Sequence, residues 1–540
     1  MYFGCPKFTT KPSRLLKKLI SLPGETADEE ALLKLINSPD PSACGITGIQ
    51  SGTGATREVI DLLLQALEDN DMRGGVIYDA NGNPVGDGAG IMLRTDNDKN
   101  GRGMQNYLHG LVGRQVPMSH KGENLHSGMM FIDRTLQPQV AEIGEKIETI
   151  LKKYGLTALN FRKANIDESA VSPRSKAIMP LIHQLTYAEN GLSEQQLQTN
   201  LYYARIEIQE TIPGINIVSL QPGTMTFKLM GSGHEVKNFY RDLESPEMKS
   251  DAGLVHVRFG TNTLANWFRA HPYDLLVHNG EVNSIRKILR VLKNLERMNA
   301  IPGTNIAKGG SDSANMDRAL QFLRSRGLSL EESARYLIQP PLDDLKRMPP
   351  DIQQYFRALS KTMGSLRAIG PIALLGMDRN KIIAALDNMG LRPLRMVMRD
   401  DGLMIIGSEV GIPTIDRKRV VNSKRVHPGE LYVIDREAKL EGSDEVNARI
   451  VQDTKLNYKE IVETHSIELT TNGADETSLS KAQEIMRLNP ETKIKRAHSF
   501  GLNTERRRRL LETIRAGEDP VEGMGSDLAI ALLSDEPNSM

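Results

Sequence analysis

The sequence predicts a layered protein of mixed α and β elements, and three observations carry that prediction. An apolar run at 44–50 passes through a Gly/Thr turn at 51–55 into a helical spacing of Val59, Ile60, Leu63, Leu64 and Leu67. Between 97 and 250, short strand-like runs alternate with amphipathic helices. Two further strand-like runs, 215–220 and 224–229, flank Gln221-Pro222-Gly223 and predict a hairpin. No internal repeat or low-complexity segment interrupts this pattern.

Composition narrows the class. With 540 residues the chain is long enough for a large core and for more than one domain. Lys plus Arg balances Asp plus Glu at 68 each, so bulk charge favours neither nucleic acid nor an anionic membrane. No window approaches the roughly 18 to 20 continuous apolar residues of a membrane span. The only cysteines are Cys5 and Cys44, too few for a disulfide framework or an all-cysteine iron-sulfur cluster. A reducing, cytoplasmic setting is expected.

The first element begins at its most reactive residue. Residues 1–43 hold a basic stretch, Lys11 to Lys18, and an acidic one, Pro23 to Asp40, but no apolar core of a secretory signal, and they read as a leader. If that leader were clipped, Cys44 would become the N-terminus. Its freed α-amino group, with a reference pKa of roughly 7.7 to 8.0, could then take the thiol proton itself. A buried structural cysteine is the other reading of the same residues. The following turn, Gly52-Thr53-Gly54-Ala55-Thr56, lacks the Gly-Lys-Ser/Thr of a phosphate loop.

Next come two Gly-dense stretches, Arg73-Gly74-Gly75 and Gly86-Asp87-Gly88-Ala89-Gly90, which permit close backbone approach to a ligand. The spacing predicts a helix over 140–154, a strand over 157–161 and a helix over 194–210. The densest polar region follows, between Gly253 and Asp317. It holds His256-Val257-Arg258-Phe259-Gly260-Thr261-Asn262-Thr263, Ala270-His271-Pro272, His278-Asn279-Gly280-Glu281-Val282-Asn283 and Ser311-Asp312-Ser313, the last before a helical spacing over 316–326.

An arginine can take a carboxylate bidentately, an asparagine beside a glycine N–H can cradle an oxyanion, and an aspartate can hold an ammonium. The set is complementary to an amino acid. Taken alone, Arg258 also fits a structural ion pair, Asp312 a helix cap, and Asn279-Gly280 a tight hairpin turn.

Cys44-Gly45, the Gly86 loop, the His256 run, the His278 run and Ser311-Asp312-Ser313 occur in the order found in class-II glutamine amidotransferases. More narrowly, with Asp387-Asn388-Met389-Gly390-Leu391-Arg392-Pro393, Ser408-Glu409-Val410-Gly411 and Pro428-Gly429, the chain resembles the amidotransferase domain of glutamate synthase large subunits. It departs from that pattern at Met72-Arg73-Gly74, at the longer turn 79–85 and at Asn388-Met389.

The resemblance implies an α+β, four-layer αββα fold of the N-terminal-nucleophile hydrolase type. It implies Cys44 as nucleophile, Asn279 and the Gly280 N–H as oxyanion donors, and Arg258 and Asp312 as holders of the carboxylate and ammonium of L-glutamine. His256 and His278 take packing or hydrogen-bonding roles, because the base is the α-amine. The implied domains are a leader at 1–43, the amidotransferase domain at 44–445, a linker at 446–485 and a partial start of the synthase central domain at 486–540. The last rests on Arg496 to Gly501, Asp519 to Asp527 and Leu532 to Asp535. Arg506 to Arg509 reads as a solvated helix face.

No cofactor or metal is expected on this chain; FMN and an iron-sulfur cluster are expected on a partner synthase chain. Expected partners are L-glutamine and that synthase subunit, with no nucleic acid and no membrane. Two other functions fit the same residues: an amidotransferase serving another acceptor, and a non-catalytic partner subunit that keeps the fold.

Overall fold

The Gly45–Ser51 strand takes the central place in a seven-stranded antiparallel sheet, and the rest of the fold is arranged around it. The computed structural model describes residues 44–465 except 74–76, 79–83, 114–123, 259–264, 300, 302, 363–365 and 410–411, together with 489, 491–492 and 494–495. The leader at 1–43, the run Phe259 to Thr263, most of the 79–85 turn and nearly all of 486–540, with Arg506 to Arg509, lie outside the described residues.

From edge to edge the first sheet runs Val420–Arg425, Arg395–Arg399, Leu403–Gly407, Gly45–Ser51, Ala252–Val257, Ala89–Arg94 and Thr224–Leu229. A second sheet, of five strands, begins Leu276–Gly280, Ile372–Met377, Lys381–Leu386 and Leu431–Asp435.

Strand periodicity explains why the two sheets face each other. Along each strand alternate residues point to opposite faces. Ile46, Leu254, Val277, Leu375, Ile382, Ile406 and Tyr432 therefore meet in one buried layer between the sheets. Their neighbours in sequence point outward: Ile49 and Val255 against Val59, Ile60, Leu63 and Leu67 of the Arg57–Asp69 helix, and Leu276, Leu374, Ile383 and Leu431 against Ile288, Leu292, Leu320 and Leu323 of helices Ile285–Met298 and Asp312–Ser325. The result is helix, sheet, sheet, helix: the α+β fold of four αββα layers. Each such fully buried side chain contributes about 1.5–3 kcal/mol.

A third, four-stranded sheet departs from that plan. It runs Leu156–Lys163, Leu181–Glu189, Leu125–Ile132 and Ile215–Ser219. Leu125, Met129 and Phe131 join the outer core of the first sheet, while Met130 and Ile132 pack on helices Val140–Lys153 and Glu194–Thr211.

Two sequence expectations are corrected here. The runs 215–220 and 224–229 do not form a hairpin: Ile215–Ser219 pairs with Leu125–Ile132 in the third sheet, and Thr224–Leu229 with Ala89–Arg94 in the first. Asp274 anchors the segment between them, its Oδ1 accepting the Leu220 N–H at 2.8 Å and the Gln221 N–H at 3.3 Å. Nor is 446–465 a linker. It forms most of helix Ser443–Asp453 and all of Tyr458–His465, with Val446, Ile450 and Val451 buried in the core. Among the described residues no helix is long and apolar enough to cross a membrane.

Candidate active site

Cys44 sits at the head of the central strand, partly buried. The antiparallel register sets Gly45 opposite Val257, so the next residues outward, Cys44 and Arg258, stand side by side at one end of the sheet. Gly45 has no room for a side chain, because a Cβ there would run into Asn70. Asn70 closes the Arg57–Asp69 helix and is fixed by Nδ2 donating to the Ala66 carbonyl at 2.8 Å and to Thr47 Oγ1 at 3.1 Å. Arg258 is buried, and its N–H donates to the Gly88 carbonyl at 2.7 Å.

The second sheet contributes the opposite side. Its edge strand ends on Asn279 and Gly280, paired with Ala373 and Ile372, so this dipeptide is a strand end and not a turn. Gly280 adopts φ 135°, and a Cβ would fall on the Pro371 carbonyl oxygen. Only glycine fits there. Asn279 is fully buried, and its Nδ2 donates to Ser408 Oγ at 2.9 Å. The same Ser408 oxygen accepts the Ile46 N–H at 3.4 Å.

Asp312 is the first residue of helix Asp312–Ser325, where a carboxylate meets the positive end of the helix dipole. The cap itself is Ser311, whose Oγ accepts the Ala314 N–H at 3.1 Å. Asp312 instead accepts the Val282 N–H at 2.7 Å through Oδ2 and the Ser313 N–H at 2.8 Å through Oδ1.

These ends meet on one cavity of about 450 Å³, walled by Cys44, Arg258, Gly280 and Asp312 together with His271 and His278. Asn279 does not reach that wall and lies behind Gly280, tied to Ser408. The Arg258 guanidinium and the Asp312 carboxylate, with Arg286 and Glu281 on the same wall, offer groups of both signs to the two charges of an α-amino acid, and the Cys44 thiol is left for its side chain.

The histidines are built into the wall. His256 Nε2 donates to the His278 carbonyl at 3.0 Å, and the His256 ring stacks on His271 with centroids 3.9 Å apart. His278 Nδ1 lies 2.8 Å from Ser313 Oγ. Burial pushes His256 down to about 3 and His271 well below the ordinary imidazole value. Both rings are neutral at physiological pH.

Sequence reasoning gave no role to Arg73, which interacts with Cys44, or to its neighbours Glu409 and Arg392. Arg73 ends the turn after the first helix and pairs with Glu409. Burial, then the like charge of Arg392, holds its guanidinium below the ordinary value, while Cys44 pulls the other way. Their signal was present in Arg73-Gly74-Gly75, Arg392-Pro393 and Ser408-Glu409. Asp387 shapes the loop that presents Arg392: Oδ2 accepts the Ile372 N–H at 3.0 Å and Oδ1 the Met389 N–H at 2.8 Å.

Comparison with known proteins adds an independent line. The family model described as glutamine amidotransferases class-II matches residues 44–461. The chain is 27% identical over 537 residues to the NADPH glutamate synthase large chain of Azospirillum brasilense, covering 94% of this chain and 34% of that protein. It is 27% identical over 526 residues to the corresponding large chain of Bacillus subtilis (strain 168), covering 92% and 32%. It is also 27% identical over 517 residues to ferredoxin-dependent glutamate synthase 2 of Synechocystis sp., covering 92% and 31%. The chain thus spans about a third of the length of these curated relatives. The family match starts on Cys44 itself and runs through every residue of the cavity wall, and the chain belongs to the class-II glutamine amidotransferases.

Proposed function

We propose that this chain is the glutaminase component of a glutamate synthase, with Cys44, unmasked as the N-terminal residue, as its nucleophile. The observation that carries the reading is the meeting of Cys44, Arg258, Gly280 and Asp312 on one cavity. Arg258 takes the α-carboxylate of L-glutamine, and Asp312 takes its α-ammonium. The α-amine of Cys44 accepts the thiol proton, and the sulfur attacks the side-chain amide carbon. The Gly280 N–H on the cavity wall receives the developing oxyanion, and Asn279 Nδ2 joins it by turning from Ser408, to which it otherwise donates; in such a role one donor is worth about a hundredfold to a thousandfold in rate. As the C–N bond breaks, the proton passes from the α-ammonium to the departing nitrogen. Ammonia leaves and a γ-glutamyl thioester remains. Water, deprotonated by the same amine, hydrolyses it to glutamate and restores the thiol.

The ammonia passes to a synthase domain on another chain for amination of 2-oxoglutarate. That domain carries the FMN and the iron-sulfur cluster. Similarity to glutamate synthases over more than nine-tenths of the chain supports this acceptor over any other. A cytoplasmic location keeps the thiol reduced.

Intact-mass analysis of the purified, active protein tests the reading. A mature chain beginning at Cys44 is expected, and full glutaminase activity on protein that retains Met1 would sink it. Glutamine hydrolysis measured with and without a synthase partner, 2-oxoglutarate and reduced donor tests the coupling, which identical rates reject.

A further inference from the structure

Lys228 is completely buried in the Thr224–Leu229 edge strand of the first sheet, yet among the described residues no carboxylate lies within ion-pairing distance of it. Its Nζ donates to the Phe268 carbonyl at 3.0 Å and to the Ala270 carbonyl at 2.8 Å, and stands 4.6 Å from the centre of the Tyr273 ring. Burying an ammonium costs several kcal/mol, and an apolar side chain of like volume packs at least as well. Packing alone therefore does not account for a lysine here.

Its two acceptors belong to the strap that becomes the cavity wall. Ala270 precedes His271, which lines the cavity. Ala270 also bears on Gly88, where a Cβ would come within 2.8 Å of the Ala270 Cβ. Gly88 in turn accepts the Arg258 N–H. A continuous path thus runs from Lys228 Nζ through the Ala270 backbone and Gly88 to the main chain of Arg258.

We propose that Lys228 is a positioning residue for the substrate: by tying the Phe268 and Ala270 carbonyls it sets the height of the Ala270–His271 wall and, through Gly88, the placement of Arg258. The inference rests on the reading that this cavity takes L-glutamine by its carboxylate. The surroundings make the tie sensitive to pH. Burial, then Arg318, pulls Lys228 down to about 7, with Asp317 and Asp274 opposing and Arg205 adding to the fall. His256 and His271 also face it, held neutral by burial. As pH rises through about 7 the ammonium becomes an amine, and its hydrogen bonds lose their charge assistance.

The test is KM and kcat for L-glutamine in the full chain, with wild type, Lys228→Met and Lys228→Arg compared at about pH 6 and about pH 8, alongside thermal melts. In wild type, KM should rise with pH. Lys228→Met should raise KM about tenfold or more with kcat within about threefold, and should remove that rise. Lys228→Arg, permanently charged, should recover part of the affinity and show a flat KM. An unchanged KM in folded Lys228→Met, or a loss confined to kcat, overturns the proposal. Unfolding of both variants would assign Lys228 to core stability and overturn it equally. A wild-type protein that does not hydrolyse glutamine would instead bring down the underlying reading, and the inference with it.

Discussion

Ser408 Oγ accepts a hydrogen bond from Asn279 Nδ2 at 2.9 Å, and this contact joins the first sheet to the second at the cavity end of the fold. The same oxygen takes the Ile46 N–H, two residues past Cys44. One hydroxyl therefore sets the spacing between Cys44 on one sheet and the Asn279-Gly280 strand end on the other. Ser408→Ala should cost about 1 kcal/mol of stability through the lost hydrogen bonds, and about tenfold or more in kcat with little change in KM. Glutaminase kinetics and a urea melt check both figures.

On the proposed function, replacing Arg258 by Ala removes the partner of the substrate carboxylate. The specificity constant for glutamine should fall by about 2 to 4 kcal/mol in transition-state terms. If kcat/KM were unchanged, Arg258 would be a structural residue only.

Gly280→Ala should be more damaging than its size suggests. The new Cβ meets the Pro371 carbonyl oxygen, and φ 135° is strained for any L side chain. A loss of at least about 1 to 3 kcal/mol in stability is expected, with activity abolished because the 280 N–H shifts. A variant with a wild-type melting temperature and normal turnover would refute this.

Acid should destabilise the protein through its buried histidines. His256 is pushed down to about 3 by burial and His183 to about 4, both below the unfolded value of about 6.5. The unfolded chain therefore binds protons that the native state refuses. Stability is complete above about pH 6.5 and falls as pH drops toward about 3, by up to about 1.4 kcal/mol per pH unit for each histidine. Urea melts across that range should show the slope, and His256→Gln should reduce it.

The legible parts of the sequence were those whose signal is local. Hydrophobic period marked the first helix and the helices at 140 and 194, and ordered motifs singled out Cys44, Arg258, Gly280 and Asp312, which the fold brings to one cavity. Pairing across space was not legible. Alternation in 215–229 revealed two strands but not that they belong to different sheets. Ser408 lies more than a hundred residues from Asn279, and Arg392 far from Arg73, so only the fold shows that they are neighbours. Residues 446–465 looked like a connection because their helices are mostly polar, with Val446, Ile450 and Val451 supplying a narrow buried stripe.

The divergence of the 215–229 strands has a consequence for how this chain can be edited. Arg94 and Thr224 are direct partners in the first sheet, and the Thr95 N–H donates to the Gly223 carbonyl at 2.9 Å. Everything between them, the whole third sheet included, leaves and re-enters the main body through two adjacent backbone points. In connectivity it is a cassette spliced into what would otherwise be a tight turn. None of the cavity-wall residues lies inside it. Its solvent-facing side can therefore be altered by design without touching the register that brings Cys44 beside Arg258, provided that Leu125, Met129 and Phe131, which complete the core of the first sheet, and Arg205, which pairs with Asp274, are kept.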